Sequence, residues 1–118
     1  MSAGTTGHTI DLVPFEGTVR VAVGGELVAE SARALELRET GHRSRWYLPA
    51  EDVREGVLEP SEKISHCPFK GDASYYSVRA GGELHPDVVW TYRDPIPTVR
   101  DIAGLVCFYD EKVELTVA

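Results

Sequence analysis

Between Thr18 and Val23 the chain reads T-V-R-V-A-V, an alternation that places Val19, Val21 and Val23 on one face of an extended strand. Gly24-Gly25 supplies a two-residue loop tolerant of positive φ, and E-L-V-A-E-S returns as the hairpin partner. In A-L-E-L-R-E, Leu35 and Leu37 share a face of a third strand, closed by Thr40-Gly41. Ser44 to Leu48 forms a fourth, with Arg45 and Tyr47 opposite Trp46 and Leu48, and Pro49 stops it. The next residues, A-E-D-V-R-E-G, read as a turn or one helical turn. Val57–Ser61 and Lys63–Cys67 are short candidate strands broken by Pro60 and Pro68, a composition suited to edges or bends. Ala73–Arg79 is a stronger strand ending in the turn Ala80-Gly81-Gly82. Val88–Arg93 alternates again, with Val88, Trp90 and Tyr92 on one side.

One short helix is predicted between Asp94 or Pro97 and Ala103. Proline is tolerated in a first helical turn, Val99, Ile102 and Ala103 form an apolar stripe, and Gly104 suits the position after a helix end. After L-V-C-F-Y and the turn Asp110-Glu111, a last strand turns Val113, Leu115 and Val117 inward, with Lys112, Glu114 and Thr116 toward water. Residues 1–17 mix Gly, Thr and Ser with Pro14, and read as a tail that either frays or lies along the domain as an extended arm. From Thr18 to Ala118 the pattern implies a mainly β fold: one compact domain of short antiparallel strands, rolled or sandwiched, with one short helix.

A length of 118 residues fits one domain with a hydrophobic core of its own. Nineteen acidic against twelve basic residues give a net charge of −7. Phosphate backbones are bound by clustered Lys and Arg, and here the arginines are scattered, so no nucleic-acid partner is expected. No apolar run approaches the roughly 20 residues that span a bilayer, and no membrane partner is expected. The N-terminal stretch lacks the basic and apolar regions of a secretory signal, which makes the cytoplasm the expected compartment. Two cysteines, Cys67 and Cys107, are too few for a disulfide scaffold.

Chemistry is concentrated in S-H-C-P-F-K-G-D-A-S-Y-Y-S-V, Ser65 to Val78. Pro68 holds Cys67 extended and removes a backbone donor, so a local bend presents the sulfur. A Lys70 ammonium folded back onto that sulfur favours the thiolate, and Gly71 permits close approach to the backbone. The alternative is a buried Cys67 packed as a small hydrophobe beside a solvated Lys70. A nucleophilic cysteine also needs a base. His66 adjoins it but points to the other strand face, leaving His42 or His85.

Tyr47, Tyr75, Tyr76, Trp90 and Tyr92 offer rings for a cavity lining or for the core, with Tyr75 and Tyr76 on opposite faces. Arg45, Lys70 and the turn amides near Gly71 together suit an anionic group. Asp52 reads as a cap on a backbone N–H or as a ligand contact, His8 as an inert tail residue, and Cys107 as core. No spacing among His42, His66, Cys67 and His85 matches a metal motif, and no cofactor fingerprint occurs.

Five blocks carry a resemblance to a known family. They are W-Y-L-P-x-E-D-V (Trp46–Val53), L-E-P-S (Leu58–Ser61), H-C-P-F-K-G-x-A-x-Y (His66–Tyr75), W-x-Y-x-x-P (Trp90–Pro95) and I-A-G-x-V-x-F-Y (Ile102–Tyr109). In order and spacing they resemble the DUF427 family, a bacterial domain of unknown function that has also carried a nucleotidyltransferase-like label. The resemblance implies a compact β domain similar in topology to Mss4-like β complexes. Zinc on paired C-x-x-C hairpins does not carry over, because this chain has no C-x-x-C. Nor does nucleotidyl transfer, which normally uses two metal ions on closely spaced carboxylates: no D-x-D or D-x-E pair stands near a Gly-Ser turn.

Three functional expectations follow. The first is a small cytoplasmic β domain whose pocket around C-P-F-K-G binds a small ligand, with an anionic one as the suggested kind, through Lys70, Gly71, Tyr47, Arg45, Tyr75 and Trp90. The second is an enzyme using Cys67 as nucleophile or redox thiol. The third is an interaction module pairing through an exposed strand edge, as monomer or homodimer.

Overall fold

In the computed structural model, which describes residues 7–118, the alternating valines build β2 (Val19–Val23) and its hairpin partner β3 (Glu26–Ser31). Gly24 and Gly25 between them both take positive φ. The last strand, β10 (Glu114–Val117), pairs with the other edge of β2, completing a three-stranded antiparallel sheet. Seven further strands form the larger sheet. They are β1 (Ile10–Pro14), β4 (Leu35–Glu39), β5 (Arg45–Leu48), β6 (Leu58–Cys67), β7 (Gly71–Ala80), β8 (Glu83–Tyr92) and β9 (Val106–Phe108). Their spatial order is β1-β4-β5-β9-β8-β7-β6, antiparallel throughout.

The larger sheet carries a buried cluster on each face, and the side-chain period of two sorts residues between them. Leu48, Val78, Val89, Val106 and Phe108 join Val19, Val21, Val23 and Val28 of the small sheet in one aliphatic core. Their neighbours Tyr47, Tyr75, Trp90 and Cys107 face the opposite way, into a second, aromatic cluster with Leu37, Tyr92, Val99 and Ile102. Each aliphatic side chain fully buried contributes about 1.5–3 kcal/mol, so the first cluster is the main source of stability. The second places ring hydroxyls and an indole N–H beside a cavity.

The mainly β, antiparallel architecture agrees with the sequence pattern, and several local expectations are corrected. Within the segment assigned to a tail or arm, Ile10–Pro14 is an edge strand paired with β4, because Ile10 and Leu12 pack on the aromatic cluster; residues 1–6 lie outside the described residues. The two strands inferred around Pro60 are one strand, β6, in which the irregularity between Pro60 and Ile64 absorbs the proline at a sheet edge. Val88 does not share a face with Trp90 and Tyr92. Extra residues around Asp87, at φ 55°, bulge β8 and turn Val88 into the aliphatic core.

The predicted helix is a 3-10 segment, Pro97–Ile102, kinked at Val99, with Val99 and Ile102 buried. Val117 is 45% exposed rather than inward, on the edge strand β10. Asp52 caps no backbone N–H; it accepts from Ser31 Oγ at 2.6 Å and Arg33 Nη2 at 2.9 Å. Among the described residues no helix is long and apolar enough to cross a membrane.

Candidate functional site

The C-P-F-K-G segment is the hairpin connection between β6 and β7. Lys70 N–H donates to Cys67 C=O at 3.1 Å, closing a tight turn with Pro68 at its second position. Gly71 takes φ +118°, and a Cβ there would meet Pro95 Cα at 3.4 Å and Asp94 O at 3.5 Å. What approaches Gly71 is therefore the chain's own 94–96 backbone, held by Ile96 N–H donating to Lys70 C=O at 2.9 Å. The turn is fixed from both sides, and Lys70 and Cys67 are fixed with it.

Lys70 does fold back. Its Nζ lies 3.7 Å from Cys67 Sγ and 2.7 Å from Glu39 Oε1. The other carboxylate oxygen, Glu39 Oε2, stands 2.9 Å from His8 Nε2. The Lys70 and Glu39 side chains are 12% and 8% exposed, so this is a nearly enclosed ion pair. Burial opposes the charge on Glu39, but hydrogen bonds from Lys70 and His8 outweigh it and hold the carboxyl below the usual carboxylate range.

The sheet supplies the floor. Tyr47, Cys107, Trp90 and Tyr75 are successive cross-strand partners on β5, β9, β8 and β7. Trp90 Nε1–H donates to Tyr47 OH at 3.0 Å, across the small Cys107 between them. That bond occupies an acceptor site of Tyr47 and leaves its own proton free to donate. Burial pushes the Tyr47 and Tyr92 hydroxyls well above the usual tyrosine range, so both stay protonated donors. Cys107 is wholly buried and its thiol is pushed up in the same way.

These groups surround a cavity of about 420 Å³. Of the residues singled out in the sequence, Cys67, Lys70, Tyr47, Arg45, Tyr75 and Trp90 line it, as does Tyr92; Gly71 lies behind it, in the turn. Arg45, which lines the cavity, is held by two carboxylates. Nη1 reaches Asp110 at 2.6 Å and Glu111 at 2.7 Å, Nη2 reaches Glu111 at 2.9 Å, and the guanidinium lies over the Trp90 ring at 5.2 Å. The hydrogen bond from Arg45 lowers Glu111 to about 2.

His42 lines the cavity, whereas His85 bonds the Ala80 carbonyl and His66 pairs with exposed Asp72 at 2.7 Å. Glu39, Arg43, Phe69 and Tyr109 also line the cavity without a place in the sequence reading, and so does His8, which that reading makes an inert tail residue. Glu39 had a signal: it continues the inward row Leu35, Leu37 at period two. Tyr109 likewise follows Cys107 by two. His8 had none, and it is anything but inert: besides Glu39 it stacks on Phe69, ring centroids 4.0 Å apart.

A family model described as a domain of unknown function (DUF427) matches residues 11–118. The chain is a DUF427 domain. The DUF427 match begins inside β1, and it takes in every residue lining the cavity except His8. No curated protein matches the sequence. Among the described residues of this DUF427 domain, no three His, Cys, Asp or Glu side chains gather as a metal-ion set.

Proposed function

We propose that this DUF427 domain binds a small, acceptor-rich molecule, carrying a carboxylate or similar anionic group, in the cavity beside Lys70. One observation carries the reading: both oxygens of Glu39 are engaged, by Lys70 and His8, while the neighbouring groups are left as donors. An ammonium has three N–H groups; Lys70 spends one on Glu39 and a second, longer one on Cys67 Sγ, which leaves one for a ligand. The Tyr47 and Tyr92 hydroxyls stay protonated donors, and the Cys67 sulfur accepts weakly from Lys70. A ligand offering acceptors complements that wall, and the rings of Trp90 and Tyr109 suit its non-polar part. The test is an amide and side-chain NMR titration with acetate. Saturable shifts centred on Cys67, Lys70 and Tyr92, lost in Lys70→Met, support the reading. Shifts scattered over the surface, or unchanged in Lys70→Met, overturn it.

A second reading, Cys67 as nucleophile, rests on the 3.7 Å approach of Lys70 Nζ to Sγ. It is the weaker one, because the closer Glu39 carboxylate offsets the ammonium charge at sulfur. Alkylation of Cys67 by iodoacetamide at neutral pH tests it: a rate well above that of a free thiol supports nucleophilic use, and an ordinary rate refutes it.

A further inference from the structure

The His8–Phe69 stack is a shared wall. A second cavity of about 270 Å³ is lined by the same two rings, and otherwise by Ile10, Ile96, Thr98 and Val99. The two spaces differ in chemistry. The first is walled by ring hydroxyls and by charged side chains, Lys70, Arg43, Arg45 and Glu39; the second, apart from His8 and Thr98, is aliphatic or aromatic. The same turn fixes both, because Phe69 lies within it and Ile96 is bonded through its backbone N–H to Lys70 C=O at 2.9 Å. Phe69, with His8 stacked on it, is 37% exposed and borders both spaces.

We infer that the ligand is amphiphilic, with an acceptor-rich head in the Lys70 cavity and a short aliphatic chain crossing the Phe69 ring into the second cavity. The inference rests on the binding reading given above and names the ligand class as short- to medium-chain carboxylic acids. A head group alone leaves the second cavity unused, and a long chain exceeds it. Two cavities that share the Phe69 ring select for chain length when one ligand spans both.

Isothermal titration with acetate, butanoate, hexanoate and octanoate tests this, each below its micelle-forming concentration. Once the chain passes Phe69, affinity is expected to rise about fourfold for each methylene buried, and to level off when the second cavity is full. Ile96→Asp places a carboxylate in that cavity and is expected to reduce octanoate to the affinity of acetate, with acetate binding unchanged. Thr98→Trp, at the exposed rim, blocks the same space if Ile96→Asp fails to fold by near-ultraviolet circular dichroism. Acetate binding that depends on Lys70 but shows no gain along the series overturns the inference and leaves the head-group site standing. A gain that survives both variants places the chain elsewhere and overturns it too. Absence of binding for every acid overturns the binding reading and the inference together.

Discussion

Replacing Glu39 by Leu removes both acceptors from the centre of the site while keeping its bulk. The Lys70 ammonium, with only 12% of its side chain exposed, is then left beside a thiol and aromatic rings without a counter-charge. Breaking one partner of a fully buried pair costs about 3–5 kcal/mol, because the remaining charge stays desolvated. Lys70 keeps some contact with water, which brings the expected loss to about 2–3 kcal/mol. For a domain of this size that lowers Tm by about 10 °C. Lys70→Met alone is expected to cost about 2 kcal/mol, since Glu39 retains only His8.

The double variant, with no charge left to bury, is expected within about 1 kcal/mol of the parent, a coupling of about 2 kcal/mol or more. Urea denaturation at neutral pH, read as midpoint shifts at constant slope, gives all three values. The acid limb supplies an independent sign check. Glu39 sits below its ordinary value, so its contribution is fully present above the usual carboxylate range and is lost as pH falls through the folded value. Parent and Glu39→Leu stabilities therefore converge on acidification. A single-variant cost under about 0.5 kcal/mol, or an additive double variant, refutes the account of a coupled, enclosed pair.

Four further outcomes are expected. Native protein exposed to a maleimide should gain one label, on half-buried Cys67, and a second only in denaturant, since Cys107 is fully buried; intact mass spectrometry counts them, and native labelling of Cys107 contradicts the packing. Gly71→Ala, forced to φ +118° against Pro95, should cost about 1–3 kcal/mol by thermal melting; an unchanged Tm means the turn is not fixed as described. Tyr47→Phe leaves the buried Trp90 indole N–H without its acceptor and should cost about 1–3 kcal/mol, with a shifted Trp90 side-chain N–H resonance. Glu111, lowered from 4.5 to about 2, adds stability above its unfolded value that disappears as pH falls toward about 2. Glu111→Gln should flatten that part of the stability curve, and an unaltered acid limb speaks against the Arg45 pairing.

The strands were legible where one face is aliphatic. Val19, Val21 and Val23 alternate cleanly because the other side of β2 meets water. The reading failed where both faces are buried: β8 presents five consecutive buried residues from Val88 to Tyr92, and period two carries no information there. A bulge at Asp87 then inverted the face assigned to Val88, which no alternation pattern reveals in advance. β1 was missed because I-D-L-V-P is short and ends in proline, a combination that suits an edge strand as well as an arm.

The site was legible to the extent that it is local. Cys67 and Lys70 meet through a tight turn whose residues are contiguous, so proline and glycine announce it. Glu39 and His8 reach the same point from 31 residues away in chain or more, through sheet pairing and side-chain contact. Arg45 was assigned to ligand binding on its charge alone, and its guanidinium is occupied by Asp110 and Glu111, partners that only the fold supplies.

The position of the cavity follows from the sheet more than from any one motif. Neighbouring strands are about 4.8 Å apart, so β5 and β8, with β9 between them, are separated by about 10 Å. Tyr47 and Trp90 bridge that gap only because the residue between them is Cys107, small enough for two large rings to lean together over it. A bulky side chain there would lift both rings into the space that is now open. The thiol that matters for shape is thus the unreactive one in the floor, while Cys67 stands at the wall with Lys70. Because the floor row and the turn are fixed by different contacts, cross-strand register on one side and the Lys70–Ile96 and Lys70–Cys67 backbone bonds on the other, the cavity does not need a ligand to form. On the binding reading proposed above, a preformed space would lose little order when a ligand enters, which keeps the cost of binding low.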